Sequence, residues 1–193
     1  MSKIALTPNA SGSGTFTIAS PNSNTDRTLT LPDEAGTVLT SASSITPSAG
    51  SAFSAVRITS TQSISSGTWT KIQCNGETFD VNNEYDNTTN YRFQPTTAGY
   101  YQFNMIVNRA GSSVTRVIAG FYKNSSEYWV GDDHLSDDGV SRKSTSTIAY
   151  MNGSTDYMEA YGYIIGSGVG FDYAGSVNQM NGSAFQGFLV RAA

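Results

Sequence analysis

Apolar and polar residues alternate along much of this chain with a period of two, as in strands that bury one face of a sheet. The clearest run is Tyr101-Gln102-Phe103-Asn104-Met105-Ile106-Val107, apolar at 101, 103, 105 and 107. Another passes from Val117 through Ala119 to Phe121. A third, 157–164, is two-faced, with Met158, Ala160, Gly162 and Ile164 on one side and Tyr157, Glu159, Tyr161 and Tyr163 on the other. The last, 185–190, is apolar on both faces, the pattern of a central strand. Asn152-Gly153 and Asn181-Gly182 mark turns, because both residue types tolerate positive φ. Short strands recurring between Gly-rich turns, with no helical period, predict an all-β sandwich or jelly roll.

Residues 1–50 follow a different rule. They hold one aromatic residue, Phe16, among many Ser, Thr, Asn, Pro and Gly, too little apolar surface to bury a core. Two short runs still alternate, Thr15-Phe16-Thr17-Ile18 and Thr28-Leu29-Thr30-Leu31. Turn formers bound them, among them Pro21-Asn22-Ser23-Asn24 and Pro32-Asp33-Glu34-Ala35-Gly36. Strands without a core must pair with neighbouring copies or with another protein. The chain therefore reads as an extended β-strand segment over 1–50, ending in a linker across 41–50, followed by a head over 51–193.

Composition narrows the chemistry. Eleven Tyr and nine Phe place the apolar content in side chains that bury much area each. The net charge of −4, with no cluster of Lys and Arg, argues against nucleic acid as a partner. Cys74 is the only cysteine, which excludes an intrachain disulfide and a multi-cysteine zinc site; it reads as a small buried apolar residue. The first ten residues lack the apolar stretch of a signal peptide, and no apolar run nears the ~20 residues of a bilayer span. The expectation is a soluble chain made in a cytoplasm and not inserted in a membrane. His134 is the only histidine, and neither a Gly-x-Ser-x-Gly elbow nor a phosphate loop is present. These observations predict a non-enzyme without a cofactor.

Two surfaces remain as candidates. Gly131-Asp132-Asp133-His134-Leu135-Ser136-Asp137-Asp138-Gly139 is the densest charge cluster. It reads either as a solvated loop or as a calcium or receptor-contact loop through Asp132, Asp133, Asp137 and Asp138, since hard cations take several oxygens. Its spacing does not match an EF-hand loop. The tyrosine face of 157–164 reads as intradomain packing, as an interface between chains, or as a platform for stacking glycans.

Two resemblances add to this reading. Phe93-x-Pro95-x-x-x-Gly99-x-Tyr101-x-Phe103 resembles the most characteristic stretch of C1q-like domains. Asn152-Gly153 followed by Asp156-Tyr157 is similar to that family's lead into a two-faced strand, and Phe185-x-Gly187-x-Leu189 to its closing strand. The resemblance spans roughly 53–191 and implies a C1q/TNF-like jelly roll that assembles as a homotrimer, with Tyr101, Phe103, Tyr157, Tyr161 and Tyr163 as candidate interface residues. Upstream, Gly14-Thr15-Phe16-Thr17-Ile18 and Asn24-Thr25-Asp26-Arg27-Thr28-Leu29-Thr30-Leu31-Pro32-Asp33-Glu34-Ala35-Gly36-Thr37-Val38 closely resemble a segment of tail-fibre and other structural proteins of bacteriophages. This second resemblance implies attachment to other capsid or tail proteins through Phe16, Ile18, Leu29, Leu31, Val38 and Leu39. The head would then project from the virion surface. Together they imply a tail fibre or spike that contributes to binding a host surface glycan or protein, or alternatively a capsid decoration protein.

Overall fold

The computed structural model describes residues 10–15, 17–19, 21–28, 30, 50–135, 142–179 and 181–193. The chain divides into two units, Met1–Ser44 and Ile45–Ala193. In the first, the described residues of the two expected strands (Thr15, Thr17, Ile18, Thr28 and Thr30) belong to no ladder and are exposed. That is the physical consequence of alternation without a core: in a single chain nothing pairs them.

The second unit is built from eleven strands: β1 (Ala52–Val56), β2 (Gln62–Ser63), β3 (Thr70–Lys71), β4 (Gly76–Asp80), β5 (Tyr85–Asp86), β6 (Arg92–Phe93), β7 (Ala98–Lys123), β8 (Ser126–Leu135), β9 (Arg142–Asn152), β10 (Met158–Phe171) and β11 (Ala184–Ala192). No helix occurs among the described residues. A first sheet runs β4-β1-β11-β7-β9. A second sheet runs β8-β7-β10, with β2, β3 and β6 along the far side of β10 and β5 beyond β6.

The long strand β7 joins the two. The runs around Tyr101 and around Val117 are successive halves of this one strand. Its first half pairs with β9 and β11, its second half with β8 and β10. The change of sheet falls at Gly111 (φ 109°) and Ser113 (φ 50°). A Cβ on Gly111 would also lie 2.8 Å from the Ser167 carbonyl oxygen on the opposing strand, so only glycine fits where the strand turns the corner.

Alternation then sends one set of side chains between the sheets. Tyr101, Phe103, Met105 and Val107 from the first half of β7 meet Val117, Ala119 and Phe121 from the second half in a single core. Phe53 lies at its centre, stacked on Phe93 at 4.4 Å and on Tyr85 at 5.0 Å, with Phe185 edge-on at 4.8 Å. Gly187 explains the closing motif: a Cβ there would reach the rings of both Phe53 and Phe103 at 2.8 Å. Cys74 is fully buried, and burial pushes its thiol up to about 12, in keeping with an inert apolar role. The head is an all-β jelly-roll sandwich, as its alternation and turns predict.

Candidate functional site

The structure redistributes the candidate interface residues. Tyr101 and Phe103 have 0% of their surface exposed in a single chain. They leave the interface set, because a side chain already enclosed by its own core has no surface to offer a second chain. Tyr157, Tyr161 and Tyr163 share a face of β10, but it is the outer face of the second sheet, where other parts of the same chain half-bury them. Tyr161 stacks on Tyr122 at 3.9 Å, Tyr163 packs on Trp69 at 5.6 Å, and the guanidinium of Arg92 lies 4.2 Å above the Tyr157 ring. Burial, helped by the Glu159 carboxylate, pushes the Tyr161 hydroxyl up to about 12.

An exposed aromatic surface lies elsewhere, on the outer face of the first sheet. Register places Tyr100 opposite Tyr150, and Gln102 between Ile148 and Phe188. Tyr100, Ile148, Tyr150, Phe188 and Val190 are each between 43% and 54% exposed. The two tyrosine rings meet edge to face at 5.6 Å. The surface continues round the sandwich edge to Tyr128 and Trp129 of β8, which bond to β9 at the Ile148 carbonyl (3.3 Å) and the Thr145 hydroxyl (3.2 Å). It occupies the end of the head where the chain enters, since Gly50 contacts Leu189 and the Leu189 N–H donates to the Ser51 carbonyl. Toward the other end the same face becomes a hollow of about 370 Å³ of mixed lining, with Asn104, Ser144 and Gln186 beside Met105, Ile106 and Ala184.

Sequence reasoning missed this face for two reasons. The apolar outer positions of β11 read as a buried central strand, and β9, largely Ser, Thr and Lys at its start, read as a polar run. The useful signal was the pair Ile148 and Tyr150, out of phase with Ala149 and Met151.

The acidic cluster is reshaped as well. Gly131 to Leu135 close β8 instead of forming a loop, and a tight turn with positive φ at Asn124 and Ser125 leads into that strand. Arg116 grips both carboxylate oxygens of Asp133, through Nε at 2.8 Å and through Nη2 at 2.5 Å. That pair holds the Asp133 carboxyl below its ordinary value and occupies the oxygens a cation would need. Asp137 and Asp138 lie outside the described residues, as does the Asp132 side chain. Among the described residues no group of three His, Cys, Asp or Glu side chains is placed to hold a metal. Of the attachment candidates, Ile18 is described and 78% exposed; Phe16, Leu29, Leu31, Val38 and Leu39 lie outside the described residues.

A second polar concavity, of about 550 Å³, opens between β4, the β5–β6 turn and the residues after β6. Asp86 builds its rim by accepting from the N–H groups of Thr89, Thr88 and Asn90, which holds its carboxyl well below the usual carboxylate range. Behind it the buried Glu84 accepts from the Thr96 N–H at 2.6 Å and from the Ser51 hydroxyl.

What fold and surface define is a jelly-roll head with an exposed aromatic face on its first sheet. No protein-family model matches the chain, and no curated protein matches it. Solved structures do. PRD1 vertex protein P5 is similar over 73% of this chain and 73% of its own, with a TM-score of 0.50 and 16% identity. The globular domain of zebrafish complement 1qA matches over 74% of this chain and 99% of its own, with a TM-score of 0.46 and 15% identity. Murine APRIL matches over 73% and 99%, with a TM-score of 0.48 and 8% identity.

Proposed function

We propose that this chain is a non-enzymatic structural protein of a bacteriophage virion surface. In this reading it is a homotrimer, attached through residues 1–50 and projecting the jelly-roll head as part of a tail fibre or spike. The exposed face of Tyr100, Ile148, Tyr150, Phe188 and Val190 carries the reading. Contiguous apolar surface of this kind on a folded head is normally covered by a partner, and an obligate interface resembles a core cut in two. A second copy suits the face because its edge carries further exposed aromatics, Tyr128 and Trp129.

The phage-like motif of 14–38 supports the virion setting, and the head has the fold of a protein named for its place at a vertex. Among the described residues no helix is long and apolar enough to cross a membrane.

Light scattering on the purified chain tests the assembly. The expected mass is about 61.5 kDa, three chains of 20.5 kDa; a stable single-chain mass overturns the proposal. Deleting residues 1–50 should leave a trimeric head that no longer joins particles. Copy number separates the tail from the alternative, capsid decoration: few copies per virion support the tail, and a number near that of the capsid subunits supports decoration.

A further inference from the structure

The outer face of the second sheet carries an arrangement that assembly does not use. Four rings form a continuous row: Tyr161 on Tyr122 at 3.9 Å, Tyr122 against Trp69 at 6.0 Å, and Trp69 against Tyr163 at 5.6 Å. Trp69 comes from the segment between β2 and β3 and lies over Gly120, where a Cβ would meet its ring at 3.1 Å. The indole is half-buried there, with part of its surface exposed. Tyr161 and Tyr163 are successive outward positions of β10, about 7 Å apart at the rise of an extended strand.

The polar concavity is linked to this face through Arg92 and Lys71. Arg92 covers Tyr157 and lines the concavity, and Lys71, paired with Glu159 at 2.5 Å, donates to the Asn90 carbonyl at 3.0 Å. The concavity is lined by Asn82, Asn87, Asn90, Gln94, Glu77 and Arg92. Amide side chains both donate and accept, the capability of a sugar hydroxyl.

The charges are already matched within the chain. Glu159 is held by Lys71 and Asp133 by Arg116, Asp86 is spent on backbone N–H groups, and Glu84 on Ser51 and Thr96. Burial, with Asp80 beside it, raises the proton affinity of Glu77. The concavity itself sets Glu77, Glu84 and Asp86 beside the single cation Arg92, an excess of carboxylates that disfavours an anionic ligand. We infer that the aromatic row of Trp69, Tyr122, Tyr161 and Tyr163 and the amide-lined concavity beside it form one binding site for a neutral hexose oligosaccharide. Rings take the apolar faces of the sugars, and amides take the hydroxyls at one end. The inference gives the projecting head its ligand class and so rests on the surface-protein reading.

The chain has two tryptophans. In the full chain carrying Trp129→Phe, Trp69 reports alone. Titration with maltohexaose, cellohexaose and mannohexaose should give a saturable change in Trp69 emission with at least one of them. Asn87→Ala, in the lining of the concavity, should weaken that binding about ten-fold, the effect of one lost hydrogen bond. Absence of a saturable response to all three overturns the inference. So does unchanged binding after Asn87→Ala, or tighter binding of a hyaluronan hexasaccharide. Light scattering on the unsubstituted chain, with and without the sugars, keeps the two proposals apart. A trimer that ignores the sugars overturns the site alone, whereas a single chain that binds them supports the site and overturns the assembly.

Discussion

The two sheets of the head treat the aromatic side chains on their outer faces in opposite ways. On the second sheet Tyr122, Tyr161 and Tyr163 cover one another, Trp69 closes over them, and the charges alongside are paired. On the first sheet Tyr100, Ile148, Tyr150, Phe188 and Val190 stay about half exposed, and no described segment returns over them. Both faces arise from the same alternation on strands that share the central β7. The difference is made by a segment distant in sequence, 64–69, which folds back over one sheet and not the other. A face completed within the chain can serve a small ligand; a face left open calls for a macromolecular neighbour.

The strongest way to break the comparison is to charge the open face. Tyr150→Glu with Phe188→Glu would set carboxylates in a dry interface, where an unpaired charge is costly. We expect the trimer to fall to a folded 20.5 kDa chain, read by light scattering with an unchanged circular dichroism spectrum. A surviving trimer would place the interface on another surface.

Next in size is a test of the core against the open face, on two residues of the same strand. Phe103→Ala should lower head stability by about 3–5 kcal/mol in denaturant titration. Tyr100→Phe should leave that stability nearly unchanged. Equal effects from the two would mean that Tyr100 is covered within the chain after all.

Uncovering the closed face should cost less. Trp69 is half-buried, so Trp69→Ala should destabilise by ~1–2 kcal/mol, below full burial of a large side chain. Its Tm shift should not depend on protein concentration, whereas substitutions on the open face should shift Tm more as the protein is diluted.

A smaller effect follows from pH. Tyr101 and Tyr161 are both pushed up to about 12, chiefly by burial. The folded head therefore binds these protons more tightly than the unfolded chain. Their contribution is complete below the ordinary tyrosine value near 10 and is lost as pH rises toward 12. Tm should fall across that window, and Tyr161→Phe should make the fall shallower; an identical profile in the variant would contradict the burial of its hydroxyl. At the bottom of the scale, Arg116→Ala should leave Tm unchanged within error, because the Arg116–Asp133 pair is solvated and exposed ion pairs contribute little.

Much of the fold was legible before any coordinates. The alternation at 101–107, 117–121 and 157–164 marked strands, and Phe185-x-Gly187-x-Leu189 marked a place where rings crowd a strand. The strands β8 and β9 were not legible. β8 carries an acidic run that reads as a loop, and β9 has too few apolar residues for its period to stand out at Thr145 and Thr147. Both lie at sheet edges, where one face and one side meet solvent and few apolar positions are required. Of the candidate site residues, the shared face of Tyr157, Tyr161 and Tyr163 was legible from period two. What covers that face was not.

Local alternation and turn chemistry, which are properties of neighbours in the chain, determined by themselves that this protein is all-β and that its aromatic head begins near Phe53. Only the tertiary structure decided that Tyr101 and Phe103 are enclosed, that Asp133 is held by Arg116, and that the open aromatic face belongs to β7, β9 and β11. The physical reason is that period two tells which residues share a side of a strand. It does not tell whether that side meets the core, a returning segment such as the one bearing Trp69, or open solvent. That outcome depends on contacts between residues far apart in sequence, which the packing of the two sheets alone brings together.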